Sequence, residues 1–473
     1  MAATLWIIFS IAAIAAGGRL LCDPLLSRVP VSPWLGSVLI ALAGLYFASV
    51  TYFLSLAAFG APRLGLAAAE IVPVVVILGA GLVWRRRQIA RSFHPAADGH
   101  SSAAATGLPS TATLALAAGL AALYSVGFVI RSLKAPQGYL DAIVTWNRGA
   151  RFLYRDKDHW VNNFDVLVGQ FQPDYPLFLQ STIARVWTYL GTDSVVIPAV
   201  AAYVFAALSA SLLYLALSHL RGRTAAAFAL CLLLGSTTFI KSAYDQVADV
   251  PIATFILAAM VVLALGERHG LSRATRWALA GAFAGGAAWT KNEGSLFVVA
   301  LGIGLFFSAG RPWFRRDTIR ALFGYLCGAA ITLIPVFVLK LVYAPPGYLA
   351  AGDLNAVIAR MSSGARFLDV LSFMSNQILG LGSLVFAVLV VLALLGGMDR
   401  NSAQRETLST GILTLAALLI GYYLFYMVSP FPLEWHIGTS FGRLLMQLLP
   451  AILFLFFASA RVPQTLAAGK TVS

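Results

Sequence analysis

Residues 286–297 read GAAWTKNEGSLF. Apolar runs lie on both sides, at 277–290 and 294–310, and Lys291, Asn292 and Glu293 fall between them with almost no loop. An ionisable group near membrane depth is expensive, so it sits at a helix end, meets a partner or does chemistry. Two apolar helices turning at a charged corner predict a helical membrane bundle. The composition agrees. Of the 473 residues, 59% are hydrophobic and only 11% are charged, with a mean hydropathy of +0.82. Soluble domains are far more polar. The fold class expected is an all-α polytopic membrane protein.

Outward from this corner, apolar runs occur at 3–19, 35–58, 64–84, 111–130, 195–217, 225–240, 250–266, 277–290, 294–310, 321–343, 378–396, 408–428 and 444–460. Each reaches or approaches the ~20 residues a spanning helix needs, so a bundle of about 13 transmembrane helices is expected. The N-terminus has no basic leader region, so no cleaved signal peptide is expected. Residues 177–191, LFLQSTIARVWTYLG, are too few to span and hold Arg185. They read as an interfacial or re-entrant helix.

Clustered arginines mark cytoplasmic loops. The clusters are Arg85, Arg86, Arg87 and Arg91, then Arg221 and Arg223, Arg268 to Arg276, Arg311 to Arg320, and Arg400 with Arg405. They alternate with the spans if 177–191 does not cross. The formal net charge of +14 then falls almost wholly on the cytoplasmic side. It is a topology signal, and no nucleic-acid partner is expected. Residues 1–92 form three N-terminal transmembrane helices. Residues 93–110, rich in Ala, Ser, Gly and Pro, read as a cytoplasmic linker. Residues 111–460 are expected to hold the remaining spans, with an outer loop 131–176 that carries amphipathic juxtamembrane helices, and 461–473 reads as a cytoplasmic tail. Cys22, Cys231 and Cys327 are widely scattered, which fits small packing residues and no disulfide framework.

Five polar clusters share the outer side under this topology. In 138–152 the single carboxylate is Asp141. It can act as a general base toward an incoming hydroxyl, or cap a helix. Trp146, Arg148 and Arg151 are spaced as one face of an amphipathic helix on the membrane. In 172–178, QPDYPLF, two prolines fix a turn. Asp174 can cap the helix that follows, and Tyr175 can line a pocket. In 241–251, Asp245 and Asp249 are four apart and would share a face of one helix. They are weak candidates for a divalent ion, Mg or Mn, with Asp249 as a helix cap before Pro251 the alternative. No cofactor is firmly implied. At the opening corner, Lys291 suits a phosphate at headgroup depth, or snorkels and pairs with Glu293. In 434–443, ahead of the last span, His436 and Arg443 are further phosphate candidates. Tyr422, Tyr423, Tyr426 and Trp435 fit an interfacial aromatic belt. Glu70 reads as packed against a neighbouring helix.

In this order the clusters resemble the GT-C glycosyltransferases, and within them the branch of protein O-mannosyltransferases and lipid A aminoarabinose transferases. Asp141 in YLDAIVTWN matches that family's acidic residue early in the first outer loop. Asp174-Tyr-Pro-Leu177 is similar to its proline-bearing turn. Tyr244, Ala248, Asp249 and Pro251 match a Tyr-x-x-x-Ala-Asp-x-Pro pattern. Thr290, Lys291 and Gly294 match Thr-Lys-x-x-Gly, and WHIGTSFGRLL is similar to a C-terminal signature of bacterial members. Many relatives carry Asp-Glu where this chain has Asp141-Ala142, and only one proline of the second pair is kept.

The resemblance implies a GT-C-like bundle, with 111–460 as its transmembrane catalytic domain, and a monosaccharide transfer with inversion from a polyprenyl-phosphate donor in the bilayer to a periplasmic acceptor, which is an envelope lipid, glycan or protein. Asp141 would be the general base. Lys291, Arg443 and His436 would hold the donor phosphate. Asp174, Tyr175, Tyr244, Asp245, Asp249, Glu293, Trp146 and Arg148 would support substrate or acceptor. The setting implied is a bacterial inner membrane with a periplasm-facing site. Two other classes share the gross pattern: a secondary transporter of an envelope precursor, and an O-antigen ligase or polymerase.

Overall fold

The computed structural model describes residues 2–89, 111–168, 172–347, 353–381, 389 and 404–460. The predicted linker 93–110, the tail 461–473 and most of the predicted span 378–396 lie outside them. The described chain is an all-α polytopic bundle. Its helices are α1 (Ala2–Leu26), α2 (Pro33–Phe59), α3 (Arg63–Ile89), α4 (Thr111–Lys134), α5 (Asn147–Arg155), α6 (Phe178–Leu190), α7 (Val196–Arg221), α8 (Arg223–Leu234) and α9 (Thr237–Tyr244). Then come α10 (Asp249–Arg268), α11 (Arg273–Thr290), α12 (Asn292–Ser308), α13 (Arg316–Val338), α14 (Leu354–Met361), α15 (Gly364–Leu381), α16 (Arg405–Val428) and α17 (Leu433–Ser459). Single π-helical turns precede α5, at Ala142–Trp146, and follow α13, at Leu339–Tyr343.

Eight of the described helices are long and apolar enough to cross a membrane. The predicted span 225–240 is instead two helices, α8 and α9, bent by 63°. Ser236 causes the break: its hydroxyl accepts from Phe239 N and caps α9. The predicted last span begins early. α17 starts at Leu433, so the polar WHIGTSFGR run lies inside it and Arg443 sits on its third turn.

α10 is buried from Asp249 to Gly266. Its sequence is apolar all round after Asp249, as a central helix must be. α11 packs on α10, and α13 packs closely on α11 because small residues face each other. A Cβ on Gly328 would lie 1.9 Å from the Ala278 carbonyl oxygen.

α6 has only 13 residues and does not span. It does not lie on the interface either, because its neighbours bury it. Arg185 is the reason. Its Nε and Nη2 donate to Glu70 Oε1 and Oε2 at 2.5 and 2.9 Å, and its Nη1 donates to Ser10 Oγ at 2.7 Å. Tyr189 Oη donates to Glu70 Oε2 at 3.0 Å. α1, α3 and α6 are thus joined by one buried ion pair. Removing one partner of a buried pair strands the other charge, so Glu70→Ala is expected to cost about 3–5 kcal/mol, and the double change Glu70→Leu with Arg185→Met to recover most of it. Thermal unfolding midpoints in detergent check both.

Candidate active site

The polar residues that interrupt the spans gather at one end of the bundle, around the first residue of α10. Asp249 has no exposed side-chain surface. Its Oδ1 accepts from Lys291 Nζ at 2.8 Å and from Gln447 Nε2 at 2.7 Å. Its Oδ2 accepts from Arg443 Nε at 2.8 Å. Arg443 Nη1 turns outward to pair with Asp141. Lys291 Nζ also lies 3.0 Å from Glu293 Oε1. The result is a chain of alternating charge: Asp141, Arg443, Asp249, Lys291, Glu293. The N-terminal dipole of α10 adds to the two cations in favouring the Asp249 carboxylate.

Exposure differs along this chain of charges. Lys291 is 3% exposed, whereas Arg443 and Asp141 keep 34% and 43% of their side-chain surface. A ligand arriving from outside therefore meets Asp141 and Arg443 first. Lys291 is enclosed, and both its carboxylate partners are in place.

Backbone geometry explains how these residues meet. Lys291 alone separates α11 from α12, in an extended conformation. The corner is tight enough that a Cβ on Gly294 would lie 2.0 Å from the Ala287 carbonyl oxygen, which is why glycine stands there. Asp141 is carried in by the segment after α4. Tyr139 N donates to the Asp245 carbonyl at 3.2 Å, Gln246 Nε2 donates to the Pro136 carbonyl at 3.2 Å, and Asn147 Nδ2 donates to the Gln137 carbonyl at 2.9 Å. That segment is stitched to the α9–α10 corner, beside Asp249.

Several expectations need correction. Asp245 and Asp249 do not share a helical face. Asp245 ends α9, and Gln246 follows in a left-handed conformation with φ 58°. Asp245 faces Arg131 at 3.6 Å. Burial pushes its carboxyl above the usual carboxylate range, while Lys241 and Arg131 pull it back. Asp249 meets two cations and an amide, so the two carboxylates do not converge on a divalent ion. Among the described residues no group of three or more His, Cys, Asp or Glu is placed to hold a metal. Nor does Asp249 cap α10; it is the first helical residue, and Ala248 holds the cap position. Asp174 does not cap α6, where Leu177 holds that position. It bonds Lys340 and Asn292 instead. Trp146 is buried rather than spread on lipid. It stacks on Tyr175 with ring centroids 5.3 Å apart, and Lys291 Nζ lies 5.6 Å from the Tyr175 ring.

Three candidates lie apart from the charge chain. Arg148 Nη1 donates to the Val168 carbonyl at 2.9 Å and pins the outer loop; burial pulls its pKa below the usual arginine range. Tyr244 Oη donates to the Tyr124 carbonyl at 2.8 Å, in the packing of α9 on α4. His436 Nδ1 lies 2.7 Å from Ser429 Oγ, among Phe425, Tyr426 and Phe431. From sequence, no role is assigned to Gln447, Lys340 or Asn292. Gln447 carried a signal: it is a polar residue four after Arg443, inside an apolar run, and so on the same helix face. Lys340, in VFVLKLVY, is likewise a lone charge within an apolar run.

Residues 174–340 match the family model described as dolichyl-phosphate-mannose-protein mannosyltransferase. No curated protein and no solved structure matches the chain. The family match supports a membrane glycosyltransferase of the GT-C superfamily. The matched segment holds Asp174, Tyr175, Asp249, Lys291 and Glu293, and leaves out Asp141 and Arg443.

The two aspartates of 241–251 are therefore not equivalent. Asp249→Ala is expected to destabilise by about 3–5 kcal/mol, because Lys291 loses its nearest buried counter-charge. Asp245→Ala removes a longer, partly open pair and is expected to cost under about 1 kcal/mol. Thermal midpoints of the two variants compare them directly.

Proposed function

We propose that this chain transfers a monosaccharide from a polyprenyl-phosphate donor to an acceptor hydroxyl at the periplasmic face of a bacterial inner membrane, with inversion at the anomeric carbon. The description of the matched family names a lipid-phosphate-linked mannose. The donor class is carried over here; the choice of sugar is not. The acceptor class is an envelope lipid, glycan or protein.

The observation that carries this reading is the partly open Asp141–Arg443 pair, set against a sealed Asp249–Lys291 pair. Arg443 is the cation a donor phosphate reaches first. Guanidinium binds phosphate through paired, charge-assisted hydrogen bonds, so the phosphate competes with Asp141 for Nη1. Asp249 keeps Nε and Nη2, so Arg443 stays aimed while it changes partner. Lys291 acts from behind: it and Arg443 share Asp249, and Glu293 balances Lys291.

Once Arg443 turns to phosphate, Asp141 is free to serve as a base. It takes the acceptor hydroxyl proton as that oxygen bonds to the anomeric carbon. The bond from that carbon to the phosphate oxygen breaks, and polyprenyl phosphate leaves with the electron pair beside Arg443. The proton stays on the Asp141 carboxyl until solvent takes it. One base and one displacement give inversion. No step is routed through a metal ion, because the carboxylates here face protein cations.

The test is turnover of polyprenyl-phosphate sugars by purified protein in liposomes, with release of polyprenyl phosphate as readout. Asp141→Asn is expected to fold normally and to lower kcat by about 10²–10⁴. Arg443→Ala is expected to lower kcat/KM for donor by at least about tenfold. If Asp141→Asn keeps most of the activity, Asp141 is not the base.

A further inference from the structure

A second polar cluster lies beside the charge chain, and the mechanism above leaves it unused. At its centre is Lys340, on the π-helical turn after α13. Its ammonium donates to three acceptors: the Asp174 carbonyl at 2.5 Å, Asp174 Oδ2 at 2.7 Å and Asn292 Oδ1 at 2.7 Å. Asn292 Nδ2 closes the triangle by donating to Asp174 Oδ2 at 3.0 Å. An ammonium has three N–H donors, and all three are used here. Lys340 therefore has no donor left for a substrate without giving up one of these bonds.

What it holds is informative. Asp174 belongs to the proline-bounded turn that carries Tyr175. Asn292 belongs to the corner between α11 and α12, flanked by Lys291 and Glu293. Tyr175 lies between two groups of the site: its ring stacks on Trp146, five residues from Asp141, and Lys291 Nζ stands 5.6 Å from the same ring. The spacing between Tyr175 and Lys291 thus depends on how the two turns sit against each other. A direct polar link between the turns joins Asp174 to Asn292, and Lys340 bonds both ends of it.

We infer that Lys340 is a positioning residue. It clamps the Asp174–Tyr175 turn to the Lys291–Glu293 corner and so fixes the depth of the cation that backs Asp249 and Arg443. This rests on the donor-binding role proposed above for Arg443. A local π-turn is a common device for re-aiming a side chain at a functional site.

The test uses the full-length protein in detergent and liposomes, comparing wild type with Lys340→Met and Asn292→Ala. Hydrogen–deuterium exchange is followed over 172–177 and 290–297. Lys340→Met is expected to speed exchange in both segments by about tenfold, since a charge-assisted bond is lost from each, with α10 and α17 unchanged. Donor KM is expected to rise by about tenfold. A lesion that merely lowers the folded fraction would reduce kcat and leave KM alone. Asn292→Ala, which cuts the link at its other end, is expected to shift exchange and KM in the same sense. It carries the test if Lys340→Met does not fold. Unchanged exchange in either segment, or an unchanged donor KM in both variants, would overturn the inference. If wild type consumes no polyprenyl-phosphate sugar, the functional reading fails, while the exchange arm still decides whether Lys340 clamps the two turns.

Discussion

Asp249 is a carboxylate with no exposed side-chain surface, placed at the start of the most deeply buried helix. Alone it would be untenable, since an unpaired ion in an apolar interior costs many kcal/mol. Lys291, Arg443 and Gln447 make it tenable, and they arrive on two different parts of the chain. Lys291 comes from the corner between α11 and α12, and the other two come from successive turns of α17. The architecture at this end of the bundle is what these contacts require. α11 and α12 must break at a single extended residue, and α17 must continue past its apolar part to carry Arg443 inward.

Such a cluster is not a stability device. Replacing a buried ion network with well-packed apolar side chains is often neutral or favourable. What the network provides is geometry. Arg443 is held through Nε and Nη2 from the inside, leaving Nη1 for the outside. Its inner contact, Asp249, is buried, and its outer contact, Asp141, is partly open. In the proposed function, that asymmetry lets an anion change the state of Asp141 without moving the scaffold. The Arg185–Glu70 pair shows the contrast. It is as deeply buried, but its partners lie on α1, α3 and α6, it has no open edge, and it braces helices.

The sequence was most informative where charge interrupts hydrophobicity. GAAWTKNEGSLF showed a helical corner, and the corner is there. Asp141, Asp249, Lys291, Glu293 and Arg443, all flagged from sequence, lie in one connected chain, and Tyr175 lies against it. The directions in which they point were not legible. Lys291 faces inward because Asp249 lies across from it, and that pairing spans 42 residues. Spacing rules assume a continuous element, so they placed Asp245 and Asp249 on one face. Gln246 with positive φ breaks that element, a conformation uncommon for any residue but glycine. Asp174 and Trp146 were misjudged for a related reason. Capping and amphipathicity are local readings, whereas Lys340 and Tyr175 are distant partners. Gln447 is not legible from sequence alone, because an uncharged residue in an apolar run is a weak signal without its neighbour Arg443 in view.

In the proposed function, a single base beside an exchangeable arginine commits the chemistry to one displacement. The most direct measurement is the anomeric configuration of the transferred sugar. Purified protein in liposomes would be given a panel of polyprenyl-phosphate monosaccharides with envelope extract as acceptor, and donor and product would be compared by NMR. The result expected is consumption of one donor class and a product of inverted configuration. Retained configuration would contradict a single displacement with Asp141 as base, and a panel left wholly unconsumed would contradict the polyprenyl-phosphate donor itself.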